Sequence, residues 1–196
     1  MMWTGQDPYF TNDWIQGHNQ FAATWISDPR FLYPIPLALM FAPLGLLPLY
    51  YAFIVWIFLL ESMISFSAFS LINLGENPKK KQFIVPVLVS IVIFRPAFIA
   101  VLNGQISGLL LLIMAAVTLL WNKERWLSGG LLLTLVALKP NIGIPIIAFI
   151  SVWLLLNKKI NALTGIAVSG FVLFLIGIAI KPNWIAEYLS IGSDKL

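Results

Sequence analysis

Lys139 is the side chain whose place in the sequence most directly suggests chemistry. It follows an apolar segment of 13 residues, 126–138, and precedes Pro140. A helix of that length covers about 20 Å of a membrane core about 30 Å thick, so the ammonium would stop short of the far surface. We expect Pro140 to end the helix, and Asn141 and Gly143 to keep the next stretch loose. Irregular backbone at that depth borders protein or a water-filled cavity.

An ammonium at such a broken helix end could hold a phosphate or another anion, with Asn141 beside it as a second polar contact. The alternative is that Lys139 snorkels to the surface from a tilted helix, or through a thinned bilayer.

Arg95 is a second candidate, because it lies 12 residues into the apolar segment 83–103 and is followed by Pro96. This places the guanidinium roughly 18 Å from the start of the segment, where Pro96 kinks the helix. Its fork of N–H groups suits bidentate contact with a phosphate. The alternative is an internal ion pair with Glu61, which lies at a similar depth in the segment 49–74.

Gln105 follows Gly104 where two apolar segments meet. Glycine permits a tight turn and a close backbone approach, and the glutamine amide both donates and accepts hydrogen bonds. The pair could therefore contact a polar ligand, although ordinary turn and helix-start chemistry is the better explanation from these two residues alone.

The first 33 residues combine aromatic rings with polar side chains, as surfaces that bind sugars do. The candidates for sugar contact are Tyr9 and Tyr33, and any of Asp7, Asp13 and His18 could act as a general base. The spacing does not choose among these three. An aromatic belt at the membrane interface is the alternative explanation for the rings.

The composition requires a lipid environment. Of 196 residues, 60% are hydrophobic and only 10% are charged, against about 25% in soluble domains. With no cysteine and one histidine, we expect no metal site, and no motif suggests a cofactor. The sequence lacks phosphate-binding glycine loops and hydrolase or metalloprotease motifs, and its basic residues form no stripe for nucleic acid.

We therefore predict an all-α integral membrane protein with several spans. An extracytoplasmic aromatic and acidic segment (1–33) precedes a proline-rich, re-entrant or interfacial broken helix (34–48). A transmembrane bundle (49–180) and an extracytoplasmic tail (181–196) follow. The predicted spans are about 49–74, 83–103, 106–121, 126–138, 142–156 and 160–180.

Three short basic loops set the orientation: Lys79–Lys81, Lys123 with Arg125, and Lys158 with Lys159. Basic loops face the cytoplasm, so the sequence predicts that the unusual polar residues collect on the opposite side of a cell membrane.

Several short motifs occur in an order that resembles glycosyltransferase family 87. They are Gly5–Tyr9, Phe31–Pro36, Phe41–Pro48, Arg95-Pro96 with Asn103–Gly108, and Gly129-Gly130 leading to Lys139-Pro140.

The resemblance implies a polyprenyl-phosphate-mannose-dependent mannosyltransferase of the GT-C fold, with an extracytoplasmic active site. It implies a polyprenyl-phosphate sugar donor, a glycolipid or glycan acceptor, and direct inverting transfer in which a carboxylate activates the acceptor hydroxyl. By position, Lys139 and Arg95 would hold the donor phosphate, and Gln105 matches the Gly-Gln element of the family.

In that family the catalytic aspartate precedes the motif around Asp7, so the resemblance places it upstream of Met1. Family members are about twice as long, which implies a chain truncated at both ends and makes an inactive fragment one expectation. The other hypothesis is a non-enzymatic membrane protein that binds or transports a lipid phosphate or a solute. A transporter should show inverted internal repeats, and none is visible.

Overall fold

The computed structural model describes residues 9, 12, 15, 16, 33–74, 80–93, 99–101 and 103–193. The described residues form helices and turns and no strand. The helices used below are α1 (Ile35–Phe41), α2 (Leu49–Leu74), α3 (Lys80–Ile93), α4 (Ser107–Asn122), α5 (Trp126–Leu133), α6 (Pro140–Leu156), α7 (Ile160–Ile180) and α8 (Trp184–Ser193). Two 3₁₀ helices, Ala42–Leu46 and Thr134–Leu138, directly continue α1 and α5.

The proline-rich segment forms a short, interrupted helix. Pro34 precedes α1 in an extended conformation, and Pro36 lies in the first turn. The N–H groups of a first turn have no partner within the helix, so proline costs no hydrogen bond there. The helix tightens to 3₁₀ geometry at Ala42–Leu46, and the chain becomes extended again at Leu47. Whether this segment lies in a membrane interface remains a prediction.

Two helices are long and apolar enough to cross a membrane. Helix α2 has 26 residues and α7 has 21, which correspond to about 39 and 32 Å. Each therefore matches a hydrocarbon core of about 30 Å. The other apolar helices of the described chain are shorter than 18 residues: Ile35–Leu46, Ser107–Asn122, Trp126–Leu138 and Pro140–Leu156. Their status as spans remains a prediction.

The chain divides into two compact units, residues 53–171 (the central unit) and residues 1–52 with 172–196 (the terminal unit). In the terminal unit, the Tyr9 hydroxyl donates to the Tyr33 carbonyl oxygen at 2.8 Å, and the Tyr9 ring lies 6.3 Å from that of Tyr188. Burial raises the pKa of the Tyr188 phenol. Lys181 lies 5.3 Å from the Tyr9 ring centroid and pairs with Glu187.

Backbone contact at glycines joins α5 to α7 in the central unit. A Cβ added at Gly130 would collide with the Ala162 carbonyl, and one at Gly165 would collide with the Leu127 carbonyl. The Thr134 hydroxyl also donates to the Ile166 carbonyl oxygen at 3.2 Å. Small residues and polar crosslinks of this kind are how helices associate closely in membranes.

The structure corrects the expectation that the chain is loose after Lys139. Pro140 is the first residue of α6, and Asn141 and Gly143 lie within that helix. Proline is favoured at the first position of a helix, because the N–H group that it lacks would have no partner within the helix there. Gly143 allows close packing and does not make the backbone flexible, since a Cβ there would collide with the Val136 carbonyl.

Candidate functional site

Lys139 lies at the junction between the 3₁₀ helix Thr134–Leu138 and α6. The eight residues of α5 rise about 1.5 Å each, and the five residues of the 3₁₀ helix rise about 2.0 Å each. The junction therefore lies about 22 Å from Trp126 along the helix axis. Its backbone is neither helical nor left-handed, with φ −117° and ψ 82°. The side chain is half-buried. The local sequence thus sets a cation where one helix ends and another begins.

The Lys139 ammonium donates a hydrogen bond to the Ser107 hydroxyl oxygen at 3.3 Å. Ser107 is the first residue of α4, 32 positions earlier in the chain. No glutamate or aspartate of the described residues forms an ion pair with Lys139. An ammonium carries three donors, so this cation keeps donors for an anion.

A cavity of about 360 Å³ lies in the central unit, and Ser107 forms part of its wall. The other lining residues come mainly from α2, α3 and α4: Leu60, Ile64, Val87, Ser90, Ala100, Val101, Gln105, Gly108 and Leu111. Most of these side chains are aliphatic, and the polar ones are Ser90, Gln105 and Ser107. The volume is within the range of cavities that hold small-molecule ligands. The serine that contacts Lys139 therefore also borders an apolar cavity.

The turn at Asn103–Gln105 brings Gln105 to the cavity wall. Gly104 has φ +61°, the Gln105 N–H donates to the Ala100 carbonyl, and the Gly104 N–H donates to the Val101 carbonyl. This pair of bonds is the Schellman motif, which ends a helix with a left-handed residue. The Trp56 indole N–H donates to the Gly104 carbonyl oxygen at 2.8 Å and ties the turn to α2.

Replacing Gly104 by alanine should destabilise the chain by about 1–2 kcal/mol, because an L side chain is strained in the left-handed conformation. The new Cβ would also lie 3.3 Å from the Trp56 ring. The matched control is Lys158→Gly, since Lys158 has φ 54° in a turn of the same kind. Thermal unfolding in detergent should show a lower Tm for the first variant and an equal or higher Tm for the second. Equal shifts would contradict the role of the turn.

The structure describes only some of the residues that the sequence singles out. Gln105 is exposed at the cavity, and Asn141 is exposed in the first turn of α6. Tyr9 and Tyr33 belong to the terminal unit, where Tyr9 is only 7% exposed. Asp7, Asp13, His18 and Arg95 lie outside the described residues, and so does the alternative pairing of Arg95 with Glu61.

Ser107 and Trp56 were not candidate site residues in the sequence, although Ser107 lies in the motif Asn103–Gly108. A serine at the start of a helix is ordinary capping chemistry, so its contact with Lys139 has no local sequence signal. A tryptophan in a long apolar helix is equally unremarkable until its N–H is seen to bond the Gly104 carbonyl. Among the described residues, no three acidic or histidine side chains are grouped so that they could hold a metal ion.

The comparisons with known proteins gave one finding. A model of glycosyltransferase family 87 matches residues 31–193 of the chain. This range contains Lys139, Ser107 and every residue that lines the cavity. Neither the curated proteins nor the solved structures include a significant match.

Proposed function

The chain belongs to glycosyltransferase family 87, and we propose that it transfers a hexosyl group, specifically a mannosyl group, from a polyprenyl-phosphate sugar. The acceptor in this proposal is a hydroxyl of a glycolipid or of an extracytoplasmic glycan. The family and the two long apolar helices indicate association with a membrane. We further propose that the chain is a multi-pass protein of the cell membrane. In this proposal it has a GT-C-type helical bundle, and its basic loops face the cytoplasm.

The observation that carries the proposal is that Ser107, which accepts a hydrogen bond from Lys139, also borders an apolar cavity. A polyprenyl phosphate combines a long apolar chain with an anionic headgroup. The aliphatic wall of the cavity suits part of such a chain, because burying apolar surface contributes about 25 cal/mol per Å². The ammonium, 3.3 Å from the Ser107 hydroxyl, suits a phosphate at the end of that chain.

The proposed reaction is a single displacement. The acceptor oxygen attacks the anomeric carbon, the bond from that carbon to the phosphate oxygen breaks, and its electron pair leaves with the phosphate. The ammonium of Lys139 stabilises the charge that develops on the leaving phosphate. A carboxylate takes the proton of the acceptor hydroxyl, and the configuration at the anomeric carbon inverts.

Other residues have proposed roles in the same step. Arg95 is a second contact for the phosphate, and Gln105 and Asn141 are polar contacts near the headgroup. Tyr9 and Tyr33 are proposed to contact the sugar or the acceptor. For the base, Asp7, Asp13 and His18 are the candidates within this sequence, and the family resemblance favours an aspartate that precedes Met1.

A transfer assay tests the function. Membranes that contain the protein should transfer the sugar from a synthetic polyprenyl-phosphate hexose to an endogenous or added acceptor, and membranes without the protein should not. A nucleotide sugar supplied alone should give no product once polyprenyl-phosphate sugar synthesis is blocked. Binding of the polyprenyl phosphate without any transfer would support the non-enzymatic alternative.

A further inference from the structure

Three tryptophan rings form a stack at the end of the central unit that carries two basic turns. The Trp121 ring lies 5.6 Å from that of Trp126 and 6.3 Å from that of Trp153, and both pairs are nearly parallel. The Trp121 indole N–H donates to the Trp126 carbonyl oxygen at 3.3 Å. The stack therefore links the end of α4, the start of α5 and the end of α6.

Four basic residues lie in the turns beside this stack. Lys123, Arg125 and Lys158 are exposed, and the Lys159 side chain is 35% exposed. The Lys159 ammonium lies 3.9 Å from the centroid of the Trp126 ring, which is a cation–π distance. These four residues and the three tryptophans are called the basic tryptophan surface below.

Glu124 is the acidic residue of these two turns, and its carboxylate contacts a residue beside each of them. Its carboxylate accepts a hydrogen bond from the Trp126 indole N–H and lies 4.0 Å from the Lys159 ammonium. By contrast, Lys123, Arg125 and Lys158 form no ion pair with any residue in the described part of the chain. The surface thus has an excess of positive charge that its own acidic residue does not neutralise.

The backbone fixes the direction of both turns. Glu124 and Lys158 have φ 58° and 54°, and each turn has the two bonds of a Schellman motif: Arg125 N–H to the Leu120 carbonyl at 2.9 Å, and Lys159 N–H to the Leu154 carbonyl at 2.9 Å. The cations are therefore presented by ordered turns.

The chemistry around these cations is that of a membrane–water interface. Tryptophan rings concentrate at the headgroup level of a bilayer, and basic side chains at the same level attract anionic headgroups. Exposed leucines follow the stack into the apolar helices, with Leu127 48% exposed and Leu156 77% exposed. Acyl chains could lie against these leucines while a phosphate contacts the cations.

We propose that the basic tryptophan surface binds the headgroup of an acidic glycerophospholipid. Its phosphate contacts Arg125, Lys158 and Lys123, and its acyl chains lie along Leu127 and Leu156. The surface begins at Trp126, at the opposite end of the segment 126–138 from Lys139, so it is separate from the site proposed for sugar transfer. The proposal does not depend on that function.

Lipid binding to the purified chain tests this proposal, with phosphatidylglycerol and phosphatidylcholine as probes in native mass spectrometry. The unaltered chain should bind phosphatidylglycerol more tightly than phosphatidylcholine. The double variant Arg125→Gln with Lys158→Gln should lower the affinity for phosphatidylglycerol about 25-fold, because each basic residue near a membrane surface contributes about fivefold. Its affinity for phosphatidylcholine should not change.

Two further variants separate this effect from damage to the fold. Glu124→Gln keeps an oxygen that can accept the Trp126 N–H bond but removes the negative charge, so it should raise the affinity for phosphatidylglycerol several-fold. Lys181→Gln removes the same charge as Lys158→Gln alone but from a residue that is not part of the surface, so it should leave the affinity unchanged, whereas Lys158→Gln alone should lower it about fivefold. Equal binding of both lipids by the unaltered chain would overturn the proposal. So would an equal loss in this charge-matched control, or competition by inorganic phosphate as effective as that by the lipid.

Discussion

Replacing Lys139 by methionine is expected to lower sugar transfer from a polyprenyl-phosphate donor by about 100-fold or more. Methionine keeps most of the apolar side-chain length and removes the ammonium that donates to Ser107. Groups that stabilise charge developing in a transition state contribute about 10²–10³ in rate each when placed in a site that excludes water. The loss should appear in kcat as well as in KM, because the phosphate gains charge as the bond to the sugar breaks.

Two related variants sharpen this prediction. Lys139→Arg keeps the charge but presents it as a planar fork, so we expect an intermediate rate. Ser107→Ala leaves the ammonium in place without its hydroxyl partner, and the loss should be only several-fold, as for one ordinary hydrogen bond. Lys123→Met removes a positive charge at the opposite end of α4 from Ser107 and serves as the charge-matched control. Full activity in Lys139→Met would show that this cation does not hold the donor phosphate.

Replacing Gly165 by alanine is expected to destabilise the chain by about 3 kcal/mol, a large effect for one methyl group. The added Cβ would collide with the Leu127 carbonyl and crowd the Leu131 N–H, which are backbone atoms that no rotamer change can move. The helices α5 and α7 would have to separate, and overpacking of this kind costs about 1–3 kcal/mol. The Cβ of Gly130→Ala would collide with the Ala162 carbonyl at the same helix crossing, so this variant should be destabilised to a similar extent.

Gly170→Ala is the matched control for this prediction, because it adds the same methyl group to the same helix. A Cβ at Gly170 would lie 3.7 Å from the Thr134 methyl carbon, which is an ordinary contact. Since alanine favours helix by about 0.5–1 kcal/mol over glycine, this variant should be neutral or slightly stabilising. Thermal unfolding in detergent measures the stability of both glycine variants. A similar Tm for Gly165→Ala and Gly170→Ala would contradict the close crossing.

The sequence was most informative about the helices. The apolar segments 49–74 and 160–180 coincide with Leu49–Leu74 and Ile160–Ile180, because long apolar runs leave the backbone few other ways to satisfy its hydrogen bonds. The family resemblance was also confirmed, since the family model matches residues 31–193. The number of membrane crossings remains a prediction.

Contacts between distant segments could not be predicted in the same way. Proline was expected to end a helix at Pro140, and the 3₁₀ helix does end at Leu138, but the stretch that follows is not loose, because Pro140 begins α6. The bond from Lys139 to Ser107 joins residues 32 positions apart and depends on how α4 packs beside the 3₁₀ helix. The packing roles of Gly130 and Gly165 likewise depend on the helix that each one contacts.

The central claim is that the donor's lipid phosphate binds at the contact between Lys139 and Ser107, next to the apolar cavity that Ser107 borders. The most direct test is photo-crosslinking with a polyprenyl-phosphate analogue whose reactive group lies in the isoprene units next to the phosphate. Mass spectrometry should map the adducts to peptides that contain Leu60–Ile64 of α2 and Ser107–Leu111 of α4. Lys139→Met should lower their yield, and Lys123→Met, at the opposite end of α4 from Ser107, should not. Adducts confined to other helices, or an equal yield in Lys139→Met, would contradict the claim.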